Sequence, residues 1–530
     1  MSRKILPRVI AGAAVLALAA ACGGGGGGEE EAAASSFSLQ GCEPEEFITP
    51  HSNELCGGQI LKFLFTGLVD FDKDSKPVNA MAESIESPDQ KVWTIKIKSG
   101  WKFHNGDAVT AQSFADAWNY TAYGPNAMNN SYFMEKIEGY ADLNPESGKP
   151  KTDKMSGLEV VDDTTLKVTL DAPFSQFPLV IGYSAFSPMP KVAFEDMKKF
   201  EEAPIGNGPY RMNGKWQHDR EIKIKRYADY QGSEKGKVEN IDYKIYSNLE
   251  TAYNDLLAGN LDQSPIPPTR LSGAKAELGD QYFQAPTSQF SRLDFPMYDK
   301  RFQNKDLRHA LSMAINRQEI IDKIFAGAHT PAKSLITPVV GGQRPDACKE
   351  YCDYNPTEAK KLYQKSGGLK GTLTLWYNSD GGHEEWMQAV ANQLRANLGI
   401  KDIKLKQLQQ AEYLPAQRAK KMDGPFRNSW VMDYPSMQNY LEPLYATGGS
   451  ANRTFYSNKQ VDKYIDQGNQ KDTIEAGYPD YYKAEDQVLE DMPVIPLWFH
   501  NTQQARSDHI KNVRVDPFSV VVLTDIEIAD

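Results

Sequence analysis

The chain has 530 residues and a formal net charge of −11 at pH 7, with 40% hydrophobic and 11% aromatic residues. That composition is ample for a large core, and length alone points to roughly three domains. The acidic balance argues against nucleic acid as a partner, because phosphate binding needs clustered Lys and Arg.

The start of the chain bears on location. Arg3 and Lys4 give a positive opening, and residues 9–21 are an apolar run. The run is too short to cross a bilayer comfortably, since a spanning helix needs roughly 20 apolar residues. Ala19, Ala20 and Ala21 precede Cys22. Residues 1–21 look like a lipoprotein signal peptide, with Cys22 as the lipidated residue. One feature departs from that pattern: Leu18 stands four residues before the cysteine, where the usual leucine stands three before it. An ordinary secreted protein and an uncleaved anchor are the alternatives. Residues 22–36 pass through a glycine tract into EEEAAASS, which has nothing to bury and reads as a flexible tether. No later run is long and apolar enough to span a membrane.

The chain has 5 cysteines. With Cys22 set aside, Cys42, Cys56, Cys348 and Cys352 allow three connectivities. Proximity in sequence favours Cys42–Cys56 and Cys348–Cys352, and an exported location permits disulfides. Zinc is the alternative, but neither pair has the usual spacing with histidines nearby.

The body then unfolds in chain order. Residues 93–97 (WTIKI) alternate apolar and polar side chains and predict a half-exposed strand. In residues 100–120 (GWKFHNGDAVTAQSFADAWNY), Asn105-Gly106 marks a turn. Thr110 can then cap a helix with Phe114, Ala117 and Trp118 on one face. Residues 158–170 read as two strands broken at Asp162-Asp163. Residues 204–212 (PIGNGPYRM) are a Gly/Pro turn entering a strand, and residues 291–296 (SRLDFP) are a hinge strand. In residues 302–327, Leu307, Ala310, Leu311, Ala314 and Ile315 recur at helical spacing. Asn304 or Asp306 can cap that helix, and Gly327 can close the next one. Residues 372–377 predict a strand, residues 386–398 a helix ended by Gly399, and residues 400–405 the next strand. A crossover helix between two strands implies parallel pairing. Residues 493–499 (PVIPLWF) predict another strand. The 26 tyrosines and 8 tryptophans are mostly core, and some are expected to line a groove, where rigid rings give contact area at low entropic cost.

Several of these blocks, in this order, resemble signatures of extracytoplasmic solute-binding proteins of the oligopeptide/dipeptide/nickel class. The carriers are FHNGDAVTA, PIGNGPY (with Asn207 where threonine is usual), LLAGNLD, the block at 302–327, SWVMDYPSMQNYL at 429–441 and PVIPLWF. The resemblance covers residues 47–499. It implies an α/β fold of the two-lobed periplasmic-binding-protein type II kind, a Venus flytrap with an extra subdomain in the first lobe. The expected plan is residues 37–80, 201–293 and 493–530 for the first lobe, 81–200 for the extra subdomain, and 294–492 for the second lobe.

The same resemblance implies site residues. Asp433 matches the aspartate that, in oligopeptide-binding members, pairs with the free α-amino group of the bound peptide. An enclosed ammonium must be paired, because an unpaired buried charge costs several kcal/mol, to order of magnitude. An ordinary Asp before a turn is the competing reading, since Tyr434-Pro435 is also a turn signal. Trp430, Arg427 and Arg418 match ligand-side positions by spacing, and Tyr434 belongs to the same block. His383 falls near a histidine that helps hold the peptide's carboxyl end. Arg suits that end because its planar fork meets a carboxylate with two hydrogen bonds. Tyr132 resembles a groove-lining tyrosine, and Glu54 lies near a position that can face the ligand.

The implied function is capture of oligopeptides between closing lobes and delivery to the permease and ATPase subunits of an ABC importer. The implied carrier is a monomer held to the outer face of the cell membrane by its lipid, without cofactor, metal or nucleic acid. The same fold can instead take a dipeptide, a nickel chelate, heme, an oligosaccharide or a signalling peptide. A secreted hydrolase is the remote alternative. The chain has no G-x-S-x-G and no P-loop, and His383-Glu384-Glu385 does not become H-E-x-x-H, since Met387 stands at the second histidine's place.

Overall fold

The computed structural model describes residues 35–379 and 381–529. The expected signal peptide, Cys22 and nearly all of the tether lie outside the described residues.

One sheet runs through both lobes. Its spine is a pair of long antiparallel strands, Tyr282–Asp294 and Val494–Arg506. At one end of the pair, Gln263–Pro265 joins Val494–Arg506 and hands the sheet on to Ser36–Gly41. Beyond it lie Asn240–Ile245, Glu221–Arg226 and Tyr210–Met212. At the other end, Phe426–Trp430 pairs with residues 290–294, followed by Leu373–Asn378 and Ile403–Leu408. The register of the long pair slips between Pro286 and Phe290 and again between Ser291 and Arg292. Such irregularities bend a strand, and here they fall where the chain crosses from one lobe to the other.

The hydrophobic cores follow this division. The first lobe gathers Phe37, Leu64, Trp118, Tyr210 and Tyr243 with Val515, Val521 and Leu523 from the chain's last segment. The second lobe has one cluster around Leu307, Leu375, Trp386 and Trp498, and another around Tyr440, Leu441, Tyr481 and Val488. Two lobes thus share one sheet, each assembled from segments distant in sequence.

Local signals explain the elements that frame the cleft. Thr110 starts the helix Ala111–Ala122, its amide donating to Ser113 Oγ at 3.2 Å. Trp118 on that helix donates its indole N–H to the Phe186 carbonyl at 3.0 Å. A separate antiparallel sheet orders Ala82–Glu86, Val92–Ile97, Thr165–Thr169 and Leu158–Asp162. Residues 302–327 form helices Lys305–Met313 and Arg317–Ile324. Asn304 caps the first, accepting from the Asp306 amide at 2.9 Å. Gly327 ends the second at φ +75°, its N–H donating to the Ile321 carbonyl at 3.0 Å. Buried Arg317 ties this pair to the long strand by donating from Nε to the Pro496 carbonyl at 2.6 Å.

The cysteines pair as Cys42–Cys56 and Cys348–Cys352. Two strands differ from expectation. The strand expected at 400–405 forms at Ile403–Leu408, because Gly399 turns the chain at φ +72° and Ile400, Lys401 and Asp402 are spent on the connection. The strand expected to end at 499 continues to Arg506, its polar second half paired on both sides.

Candidate functional site

Between the lobes lies a cavity of about 1110 Å³. Its second-lobe wall is carried by Phe426–Trp430 and the segment after it, and by the helix Gln410–Arg418. Its first-lobe wall is carried by the start of helix Leu55–Leu64, by Tyr132 and by Tyr183. The Cys42–Cys56 bridge braces that helix start, and Glu43, Glu45 and Glu54 on the braced loop all reach the cavity.

Asp433 faces this space. Its backbone N–H donates to Asn439 Oδ1 at 2.9 Å, and Asn439 Nδ2 donates to Asp433 Oδ2 at 2.9 Å. Trp430 donates its indole N–H to the same Asn439 Oδ1 at 3.1 Å. Asn439 is 1% exposed and sits in the helix Met437–Tyr445, which Ser436 caps by accepting from the Gln438 amide. A fixed amide thus orients the carboxylate. No Lys or Arg among the described residues pairs with Asp433. Burial pushes its carboxyl up to about 7, partly opposed by the Asn439 hydrogen bond. A carboxylate buried without a cation holds its proton more tightly, and it is a ready seat for a cationic guest.

Opposite it, three rings stack in the first lobe. Tyr132 lies 4.4 Å from Phe133, and Phe133 lies 4.3 Å from Tyr183, both nearly parallel. Both phenols are raised well above the usual tyrosine range, by burial first and then by the Asp433 charge. They therefore stay protonated and can donate hydrogen bonds.

The other expected residues divide. Trp430, Arg427, Arg418, Tyr132 and Glu54 line the cavity. Arg427 donates from Nη1 to Asn378 Oδ1 at 3.2 Å and from Nη2 to Ser429 Oγ at 3.1 Å. Arg418 ends its helix and is exposed toward the cleft. Glu54 has a structural task as well: it is the N-cap of Leu55–Leu64, and its carboxylate accepts from the amides of Cys56 and Gly57.

Tyr434 and His383 are not among the residues lining the cavity. Tyr434 follows Asp433 but turns away, is 5% exposed and packs into the first-lobe core, its hydroxyl donating to Gln438. It is a contact between lobes. His383 accepts the Trp386 indole N–H on Nδ1 at 3.1 Å. Burial, and then the Arg427 charge, hold it well below the usual histidine range, so it is neutral.

Sequence reasoning did not name Tyr183, Asn439, Arg292 or Arg453. Only Arg292 left a signal: in a strand, Arg292 and Asp294 share a face, and they form a buried pair at 2.8 Å. Among the described residues no cluster of three or more His, Cys, Asp or Glu is suited to a metal, and no helix is long and apolar enough to cross a membrane.

Comparison with known proteins adds to this geometry. The family described as bacterial extracellular solute-binding proteins, family 5 Middle, matches residues 76–452. The dipeptide-binding protein DppE of Bacillus subtilis is 29% identical over 509 residues, which is 91% of this chain and 89% of that protein. The oligopeptide-binding protein OppA of the same organism is 27% identical over 481 residues, covering 87% of each. The solved structure of the Escherichia coli murein tripeptide binding protein MppA superposes with a TM-score of 0.81 at 24% identity, covering 93% of this chain and 98% of that one. That likeness shows a shared two-lobed fold.

Proposed function

Because the chain belongs to the family 5 bacterial extracellular solute-binding proteins, we propose that it captures short peptides in the cleft and delivers them to the permease and ATPase of an ABC importer. In this reading Cys22 carries a lipid that holds the protein at the outer face of the cell membrane.

The observation that carries the reading is the uncompensated carboxylate of Asp433. It lies in the cavity, oriented by Asn439 and without a cation from the described residues. The α-ammonium of a peptide supplies the missing charge and can donate to the free carboxylate oxygen. Main-chain hydrogen bonds then hold an extended guest strand-like, blind to side-chain identity, and water in a roomy cavity accommodates varied side chains. Arg427 is the candidate partner for a carboxyl group farther along. The peptide-binding names of DppE and OppA support the same ligand class.

The direct test is calorimetric titration of a short peptide and its N-acetylated form. Acetylation removes the charge and leaves Asp433 unpaired, so affinity should fall by about thirtyfold or more. Equal affinity for the two forms removes the amino-anchor role. A thermal-shift screen of di- to pentapeptides, oligosaccharides and Ni2+ checks the ligand class, since a bound ligand raises the melting temperature.

A further inference from the structure

We propose that Ser288, at the crossing between the lobes, is a positioning residue for the amino anchor: it holds the Met432 amide, and with it Asp433, in place relative to the first lobe. This role rests on the peptide reading above and adds to it the residue through which the hinge holds the anchor.

Strand pairing sets up the contact. Residues 290–294 of the long strand Tyr282–Asp294 pair antiparallel with Phe426–Trp430, Phe290 standing opposite Trp430. Extending that register by two residues brings Ser288 opposite Met432, but the backbone ladder stops short of it. On the other edge the register slips between Pro286 and Phe290, so Thr287, Ser288 and Gln289 stand against His500 alone. Ser288 is 0% exposed, and a buried backbone group released from a ladder needs another partner. Its N–H donates to the Pro517 carbonyl at 2.8 Å. Its carbonyl accepts from the Tyr440 hydroxyl at 2.6 Å. Its Oγ accepts from the Met432 N–H at 3.2 Å, in place of a ladder bond.

These bonds reach Ser288 from both lobes. Pro517 belongs to the first. Its neighbour Asp516 accepts from the Val520 amide at 2.9 Å and pairs with Lys62 at 2.6 Å, and Lys62 lies on the helix Leu55–Leu64 that walls the cavity. Met432 and Tyr440 belong to the second lobe, and each adjoins a part of the anchor. Met432 precedes Asp433, and Tyr440 follows Asn439, which donates to the Asp433 carboxylate. A run of contacts thus joins the first-lobe wall to that carboxylate through one hinge residue. The lobes meet in this arrangement, with Lys136 and Glu442 paired across them at 2.6 Å. A movement of Ser288 with the first lobe draws on the Met432 amide, and the carboxylate one residue away turns with it. The anchor is then best aimed when the lobes are together, and that difference in affinity is what lets a guest favour closure.

The contact is local enough to isolate. Ser288→Ala removes the acceptor of the Met432 N–H and leaves the backbone bonds of residue 288 in place, whereas Ser288→Thr keeps a hydroxyl. The experiment is calorimetric titration of the purified wild type, Ser288→Ala, Ser288→Thr and Tyr440→Phe with Ala-Ala-Ala and N-acetyl-Ala-Ala-Ala, below each protein's melting temperature. The readout is the preference for the free amine, given by the ratio of the two affinities, which a general loss of stability does not move. Ser288→Ala should reduce that ratio about fivefold, the worth of one ordinary hydrogen bond, with the acetylated peptide little affected. Ser288→Thr should retain most of the ratio. Tyr440→Phe, which acts on the same residue through its carbonyl, should reduce it by a smaller factor. Weakening of both peptides by the same factor in Ser288→Ala overturns the role, and so does a ratio as low in Ser288→Thr as in Ser288→Ala. If Ser288→Ala does not fold, an unchanged ratio in Tyr440→Phe overturns it. A wild type that prefers the free amine while Ser288→Ala keeps the full preference removes the role of Ser288 alone and leaves the amino anchor standing. Equal binding of the two peptides by the wild type removes the amino anchor and this role with it. Binding of neither peptide removes the peptide reading as well.

Discussion

Asp433 couples binding to pH. Its carboxyl sits at about 7 in the unliganded cleft, and a peptide ammonium beside it favours the ionised form and lowers that value. Below about pH 7 the free protein therefore holds a proton that the complex does not, and affinity should fall by up to about tenfold per pH unit. Near pH 8 the peptide's own amine, with an ordinary pKa of about 7.7–8.0, begins to lose its charge, so affinity falls again. Calorimetry across this range, in buffers of different ionisation enthalpy, should give a maximum between the two limbs and proton release on the acid side. Affinity that is flat from about pH 5.5 to 7.5 contradicts the ion pair. Stability has the opposite sign. The folded pKa lies above the unfolded carboxylate value of about 3.9, so the ionised group subtracts stability as pH rises from about 4 to 7. Asp433→Asn should therefore bind peptide poorly yet melt at a higher temperature than the wild type at pH 8, which separates lost binding from misfolding. This residue was legible because it lies in a compact block, SWVMDYPSMQNYL. Tyr183 was not, because it reaches the same cavity from a segment distant in sequence, and no local spacing records that.

At the scale of elements, alternation and helical spacing were readable wherever one face meets a core. Val92–Ile97 buries Trp93, Ile95 and Ile97 in turn. The second half of Val494–Arg506 was not readable, because NTQQAR is paired by neighbours on both sides while crossing between lobes and shows no apolar face. Contacts between lobes were equally silent. Helix Met437–Tyr445, which supplies Asn439 to Asp433, also carries Glu442 across to the first lobe. Lys136 Nζ lies 2.6 Å from Glu442 Oε1 and over the Phe174 ring at 4.9 Å. Beside this pair, the Ser175 amide donates to the Asn469 carbonyl at 2.9 Å, and Ser436 Oγ donates to Gln176 Oε1 at 2.6 Å. These contacts form only when the lobes meet, so they weight the closed arrangement without touching the cavity. Lys136→Ala and Glu442→Gln should each weaken peptide binding several-fold. A double-mutant cycle on affinity should return a coupling of about 1 kcal/mol. Additive effects in that cycle assign the pair no part in closure.

For the whole molecule, the order of family-like blocks predicted the two-lobed architecture, which length alone does not specify. Strand pairing explains why: residues 282–294 pair with 494–506, an association invisible to any window along the chain. The resulting shape places a bent strand pair between two independently packed cores, with an irregular register at the crossing. Such a joint permits rigid-body closure, in which a few residues absorb the change in backbone angles while each lobe keeps its packing. A ligand moves that equilibrium only by its differential affinity for the closed state. Asp433 and Arg427 belong to one lobe and the stacked rings Tyr132 and Tyr183 to the other, so a peptide can satisfy both walls only when they approach. Small-angle scattering should accordingly show a smaller radius of gyration at saturating peptide than without it. The N-acetylated peptide should produce no such change at the same concentration, and Asp433→Asn should stay at its unliganded value. Scattering curves that superpose with and without saturating peptide mean that occupancy and closure are uncoupled, and the cleft then binds as a rigid pocket.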